Sequence, residues 1–312
     1  MLTQFNIFIV GTMGWPADDC FKYYLTINKL QYQQMKKQLL LKIGVCMVCA
    51  TSLLTACTKS NQSDGKKVDP ATQISADATQ KISDLGFSTD NVRKVGDNYL
   101  VEGDIMLTPA NLSEVSTSPT LRIAETEQYR TTNLVKNLPR TITVSVSNLP
   151  TVYATATASA VSRYNALNLS LKFQVVSSGG NIQIIGFNEG PSGGYITLGS
   201  SGFPTSSGNP YSQIQLNTNA QAYGTNPNVG YVTSVIQHEM GHCIGFRHTD
   251  YFNRALSCGG TATNEGTAGI GAVHIPGTPT KTFDVASFML ACSSGTDRTF
   301  NANDVIALNY LY

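Results

Sequence analysis

The chain has 312 residues, 13% of them charged and 41% apolar, with 27 Gly, 12 Pro and a net charge of +1. That is enough for one good-sized globular domain with attachments, and it is too ordinary a composition for a disordered or collagen-like protein. With 21 Lys and Arg against 20 Asp and Glu, and no basic cluster of useful size outside the N-terminus, the chain lacks the electrostatic footprint of a phosphate-backbone reader, so nucleic acid is excluded as the main partner.

From Met35 the sequence reads MKKQLLLKIGVCMVCATSLLTAC. Lys36, Lys37 and Lys42 form a positive end, and the apolar run from Ile43 to Leu54, twelve residues, is too short to span a bilayer. Leu54-Thr55-Ala56-Cys57 resembles the lipobox of bacterial lipoproteins, where the signal peptide is cut before the Cys and the thiol carries the lipid; a plain secretory signal that happens to end in Cys is the alternative. The expectation is a signal peptide over residues 35–56, lipid attachment at Cys57 and a polar tether over 57–70. The product would be exported and held to a membrane of the bacterial cell envelope, surface-exposed or released. Residues 1–34 have no place ahead of such a signal and read as a misassigned upstream start. Of seven Cys, Cys243, Cys258 and Cys292 remain beyond the leader and Cys57. They allow one disulfide and one free thiol, with the pairing left open.

Residues 71–86 place Ile74, Ala78, Ile82 and Leu85 on one helical face and stop at Gly86; a strand follows over Tyr99–Met106. This predicts a small N-terminal unit over 71–118, a candidate pro-domain, then a Ser/Thr-rich linker over 119–140. Ile142, Val144 and Val146 alternate, a helix carries Val152, Ala156, Ala160 and Tyr164, and Leu169, Leu171, Phe173 and Val175 alternate again. Strand, helix, strand implies a parallel crossover, and shorter pieces at Ile182–Ile184 and Ile214–Leu216 extend a mixed, mostly parallel sheet. The fold class is α+β with an α/β-like N-terminal lobe. The loop at Asn188-Glu189-Gly190 offers carbonyls to Ca2+, without a spaced carboxylate set.

The chemistry concentrates at the end of a helix predicted over Val229–Phe246. His238-Glu239-Met240-Gly241-His242 puts two imidazoles one turn apart on one face, converging on a point. Gly245 permits a sharp turn, and His248 returns three residues later. Three of the four His in the chain fall within eleven positions. Three nitrogen ligands with one open position describe a catalytic zinc, whose water has a pKa lowered to about 7, and Glu239 is placed to take its proton.

HEMGHCIGFRHTD resembles the extended zinc motif of the metzincin metallopeptidases and is most similar to the bacterial dual-action HEIGH type. The resemblance, over roughly residues 140–312, implies a metzincin-type domain at 141–312 with a twisted sheet, two long helices, a Met-turn and a C-terminal helix. It implies zinc ligands His238, His242 and His248, with Glu239 as general base. It also implies Met289 as the Met-turn residue beneath the imidazoles, and a closing helix capped by Asn301 with Val305, Leu308 and Tyr312 on one face. The sequence departs from related families at Thr249, after the third His, and at Ala291, where the Tyr that some relatives add as a zinc ligand is missing; a four-coordinate metal is expected. The implied activity is a zinc endopeptidase acting on protein or peptide substrates. The alternative is a zinc-binding but inactive surface lipoprotein used for protein binding or adhesion, against which a water-activating Glu239 argues. Substrate would pair with an edge strand over Ser212–Asn217, and its side chain would enter a pocket shaped by the segment between His248 and Met289. His274 reads as a loop residue or substrate-side contact, with a second metal site as the alternative. Leu100-Val101-Glu102-Gly103-Asp104 resembles the segment in astacin pro-regions whose Asp replaces water at zinc, to be released by a cut near Arg122 or Arg130; a solvated acidic turn at a strand end is the other reading of Asp104.

Overall fold

The computed structural model describes residues 74–113, 128–192, 194–265, 271–280 and 283–312. The upstream segment 1–34, the signal peptide, Cys57, the tether and Arg122 lie outside them. All described residues belong to one unit, Lys67–Tyr312. Among them no helix is long and apolar enough to cross a membrane.

The N-terminal part begins with α1 (Ala76–Asp84), capped by Ser75, whose side chain accepts from the Ala78 amide at 3.1 Å. Three strands follow, β1 (Arg93–Val95), β2 (Asn98–Val101) and β3 (Ile105–Leu107), paired antiparallel in that order. The single strand expected over Tyr99–Met106 is therefore a hairpin. Its turn is made by Glu102 and Gly103, at φ 55° and 90°, and a left-handed pair reverses the chain where alternation alone reads as continuous strand. Ile82, Leu85, Phe87, Val101, Ile105 and Leu107 pack together with Phe203, so this small core is completed by a residue of the larger part.

The larger part has β4 (Tyr129–Arg130), β5 (Arg140–Val146), α2 (Thr151–Ala166), β6 (Leu171–Val175), β7 (Ile182–Phe187), β8 (Gly199–Ser200), β9 (Gln213–Asn217), α3 (Ala220–Tyr223), α4 (Val229–Ile244), α5 (Ala255–Cys258), β10 (Val273–His274) and α6 (Ala302–Leu311). Ile142 and Val144 of β5 point into the core, and Tyr153, Ala156, Ala160 and Tyr164 form the buried stripe of α2. Each such fully buried Ile or Leu contributes about 1.5–3 kcal/mol. Leu171 and Phe173 are buried as the alternation predicts, whereas Val175, at the strand end, is exposed. The sheet order is β6-β5-β7-β9-β8, parallel except for β8, which runs antiparallel to β9. This corrects the expected substrate edge: Ser212–Asn217 contains β9, an inner strand between β7 and β8, and the edge on that side of the sheet is the two-residue β8. The stretch 128–140, expected as linker, is packed: β4 pairs with β10, and the Thr131 amide donates to Gly245 O at 2.7 Å. Cys258 and Cys292 form the disulfide, and Cys243 is the buried free thiol.

Candidate metal centre

Helix α4 is capped by Asn228, whose side chain accepts from the Tyr231 amide, and its last residue is Ile244, two residues before the expected end at Phe246, with Gly245 as the C-cap. Gly245 takes φ 113°, and its amide donates back to Gly241 O and His242 O; a side chain there would strike Leu134 at 2.8 Å. The reversal brings His248 to face the helix. Nε2 of His242 lies 3.0 Å from Nε2 of His238 and 3.1 Å from Nε2 of His248.

The outer nitrogens explain this inward convergence. Nδ1 of His238 donates to Phe288 O at 2.9 Å, Nδ1 of His242 to Phe246 O at 2.8 Å, and Nδ1 of His248 to Glu265 Oε1 at 2.6 Å. With each proton committed outward, three Nε2 lone pairs face one another, a repulsive arrangement unless a cation lies between them. Asp104 Oδ2 joins the group, 3.0 Å from Nε2 of His248 and 3.7 Å from Nε2 of His238. Ligands at about 2.0–2.2 Å from a tetrahedral zinc stand roughly 3.3–3.5 Å apart, so these spacings fit a four-coordinate ion.

Glu239 is buried beside this cluster, and Ser201 Oγ donates to its Oε2 at 2.7 Å. Burial and then the Asp104 carboxylate push its pKa well above the usual carboxylate range. Gly199 is part of the fit: a Cβ there would come within 2.9 Å of Glu239 Oε1. Met289 is fully buried beneath the imidazoles' helix, with its sulfur 2.6 Å from where a Cβ on Gly241 would be. Thr249, after the third His, ties to that turn: its amide donates to Met289 O at 2.8 Å and its hydroxyl meets Ser287 Oγ at 2.7 Å. Asn301 caps α6 through a reciprocal capping box with Asp304, as expected of the closing helix.

Glu265, Ser201 and Thr249's partner Ser287 carry no signal in the sequence reading. Glu265 is fully buried, paired with Arg254 at 2.7 Å and Arg247 at 3.3 Å, and against the cost of burial His248 and both guanidinium groups hold it ionised well below the usual range. Arg247 in turn lies between the rings of Phe87 and Phe203, 5.0 and 5.7 Å from their centroids. His274 lies away from the centre and meets Thr278 Oγ1 at 2.9 Å. Calcium at Asn188-Glu189-Gly190 is not supported, because those oxygens are engaged: Asn188 Oδ1 accepts from Asn219, Glu189 O from Asn217, and the Glu189 carboxylate pairs with Arg93.

Asp104 reaches the cluster because residues 104–106 lie along the sheet edge. The Ser201 amide donates to Asp104 O at 2.9 Å and the Met106 amide to Ser201 O at 2.7 Å, a parallel bridge centred on Ile105 and Ser201. Thr197 Oγ1 donates to Gly103 O at 2.9 Å, and Arg93 bonds Thr197 at 3.1 Å. The acidic turn is thus half-buried in the cleft.

A mostly parallel sheet, a buried Glu and a converging His triad on a helix that ends in a left-handed glycine are the parts of a metallopeptidase. Residues 99–312 match the family described as dual-action HEIGH metallo-peptidase, and the chain belongs to that family. No curated protein matches it. Among solved structures it is similar to myroilysin, with 14% identity over 57% of this chain and 93% of that one and a TM-score of 0.36. It is also similar to high choriolytic enzyme 1, a hatching enzyme zinc-protease from Oryzias latipes, with 15% identity over 55% of this chain and 88% of that one and a TM-score of 0.32.

Proposed function

We propose that the protein is a latent zinc endopeptidase in which His238, His242 and His248 hold the metal, Glu239 is the general base and Asp104 blocks the fourth position. The observation that carries this is the inward convergence of three Nε2 atoms, each with its Nδ1 proton committed to an acceptor. Zinc, when bound, supplies a Lewis acid for the scissile carbonyl and lowers the pKa of water to about 7. Glu239, its carboxylate steadied by Ser201, would serve as the base for a water activated there and would return that proton to the departing amine. Met289, under the centre, and Thr249, bonded to its turn, keep the imidazoles in place.

Latency follows from coordination. Four protein ligands close a zinc site, and an open position is needed for water. With Asp104 in place the residues that would hold a zinc are His238, His242, His248 and Asp104; with the Asp104 carboxylate gone, the fourth position would be free for water. We read the N-terminal unit of residues 74–113 as a pro-segment, with the connection to residue 128 as its point of release. The lipobox-like end at Cys57 supports export and attachment to a membrane of the cell envelope.

The test is casein hydrolysis by the chain and by its Asp104→Ala form, with and without chelator, beside Glu239→Gln, with zinc quantified in each. Chelator-sensitive cleavage that falls by about 10²–10⁴-fold in Glu239→Gln while zinc stays bound is expected. Equal fragments from both would refer the activity to a contaminant.

A further inference from the structure

A cavity of about 650 Å3 opens beside His238 and Glu239. Residues between His248 and Met289 supply part of its wall, including Arg254 and Thr263, but beyond His238 the wall comes from Phe288, Leu290 and the stretch through Cys292 to Arg298. Ser234, one turn or about 6 Å up α4 from His238, completes that side. Three arginines line the cavity, Arg93, Arg254 and Arg298. Arg93 is paired with Glu189 and Arg254 with Glu265, whereas among the described residues no carboxylate lies within 4.0 Å of Arg298.

The main chain at Arg298 is held in place. Its amide donates to Ser234 Oγ at 2.6 Å, and its neighbour Asp297 accepts both 2.8 Å bonds of the Arg163 guanidinium. The acidic groups that act on Arg298 from a distance are already engaged: Asp304 by Ser287 and the Phe288 amide, Asp250 by Ser257 and the Ala291 amide, and Asp284 by Asn301 and Asn303. Burial works against its charge, lowering its pKa from the usual value. A half-buried guanidinium with its desolvation incompletely repaid gains most from a carboxylate brought in by a ligand, through a charge-assisted and often bidentate contact.

We infer that Arg298 is a specificity residue, selecting substrates with Asp or Glu next to the scissile bond on the side of the cleft formed by residues 288–298. This rests on the metallopeptidase reading above. A side chain leaving the peptide beside His238 enters the space bounded by Phe288, Leu290 and Ser234, and Arg298 is the cation on that wall. A neutral isostere such as Gln would leave the guanidinium without its countercharge, which favours the acidic substrate by on the order of tenfold.

The experiment maps the bonds cut in denatured casein by the Asp104→Ala chain. It then compares two peptides differing only in Glu or Gln at the enriched position, with Arg298 intact, as Arg298→Gln and as Arg298→Glu. The ratio of kcat/KM for the two peptides is taken within each protein, so any loss of folded enzyme cancels. Acidic enrichment at one position adjoining the cut bond is expected, with a Glu-to-Gln ratio of about ten that falls to within about twofold in Arg298→Gln and inverts in Arg298→Glu. If casein is cut without acidic enrichment, or the ratio survives Arg298→Gln, the inference is overturned and the peptidase stands. If the chain cuts no casein in a chelator-sensitive way, the peptidase reading falls and takes this inference with it.

Discussion

Oδ2 of Asp104 stands 3.0 Å from Nε2 of His248, although 144 positions separate them in the chain. The contact depends on a turn at positive φ, on two main-chain bonds to Ser201 and on a hydrophobic cluster closed by Phe203. Asp104→Ala removes the carboxylate from the histidine cluster and leaves the rest of that docking intact. The uncut Asp104→Ala chain is expected to hydrolyse casein about tenfold faster or more than the uncut parent, since only the water-accessible fraction of sites is competent. Equal rates would return Asp104 to the status of an acidic turn.

Glu265 would act on a bound metal through His248. Its Oε1 accepts a hydrogen bond from the Nδ1–H at 2.6 Å, fixing the tautomer that leaves Nε2 free to coordinate. Glu265→Gln keeps the shape but weakens the acceptor and leaves Arg247 and Arg254 without their shared carboxylate. Zinc affinity is expected to fall about 10–100-fold, read by competition with a chromophoric chelator. Undiminished affinity would show that Glu265 serves packing alone.

Asp304 carries the floor of the site. Its carboxylate accepts from Gln128 at 2.7 Å, Ser287 Oγ at 3.0 Å, the Phe288 amide at 3.1 Å and the Asn301 amide at 3.0 Å, so it joins the start of the larger part, the turn before Met289 and the cap of α6. Asp304→Ala strands several buried donors together and is expected to cost about 3 kcal/mol, or roughly 6–12 °C in Tm. Thermal unfolding followed by circular dichroism checks this; a shift under 2 °C, on the order of a surface substitution, would contradict it.

How much of this the sequence disclosed depended on whether the signal was local. His238, Glu239, His242, Gly245 and His248 lie within one helix and its stop, where spacing translates directly into direction. Asn301 and Asp304 are likewise three residues apart, and their capping box follows from local geometry. The edge strand was not legible, because Gly199–Ser200 is too short to show alternation and β9, with its clear Ile214 and Leu216, drew the assignment instead. The hairpin at Glu102-Gly103 was hidden because apolar residues continue on both sides of the turn. Glu265 sits in a Thr-, Asn- and Gly-rich loop, and its role arises only from the fold that carries it to His248. Residues 128–140 look like a linker by composition, yet Tyr129 and Thr131 are buried through partners more than 100 positions away.

The short pairing of residues 104–106 with Ser201 has a thermodynamic side. Under the latency proposed above, plug and cleft share one polypeptide, so the plug would meet its site at an effective concentration in the millimolar range or above, whatever the amount of protein in solution. Dilution would therefore not unmask the enzyme, and a competing peptide would have to displace a partner that never diffuses away. Severing the covalent link converts that fixed term into an ordinary bimolecular equilibrium, in which the freed fragment escapes.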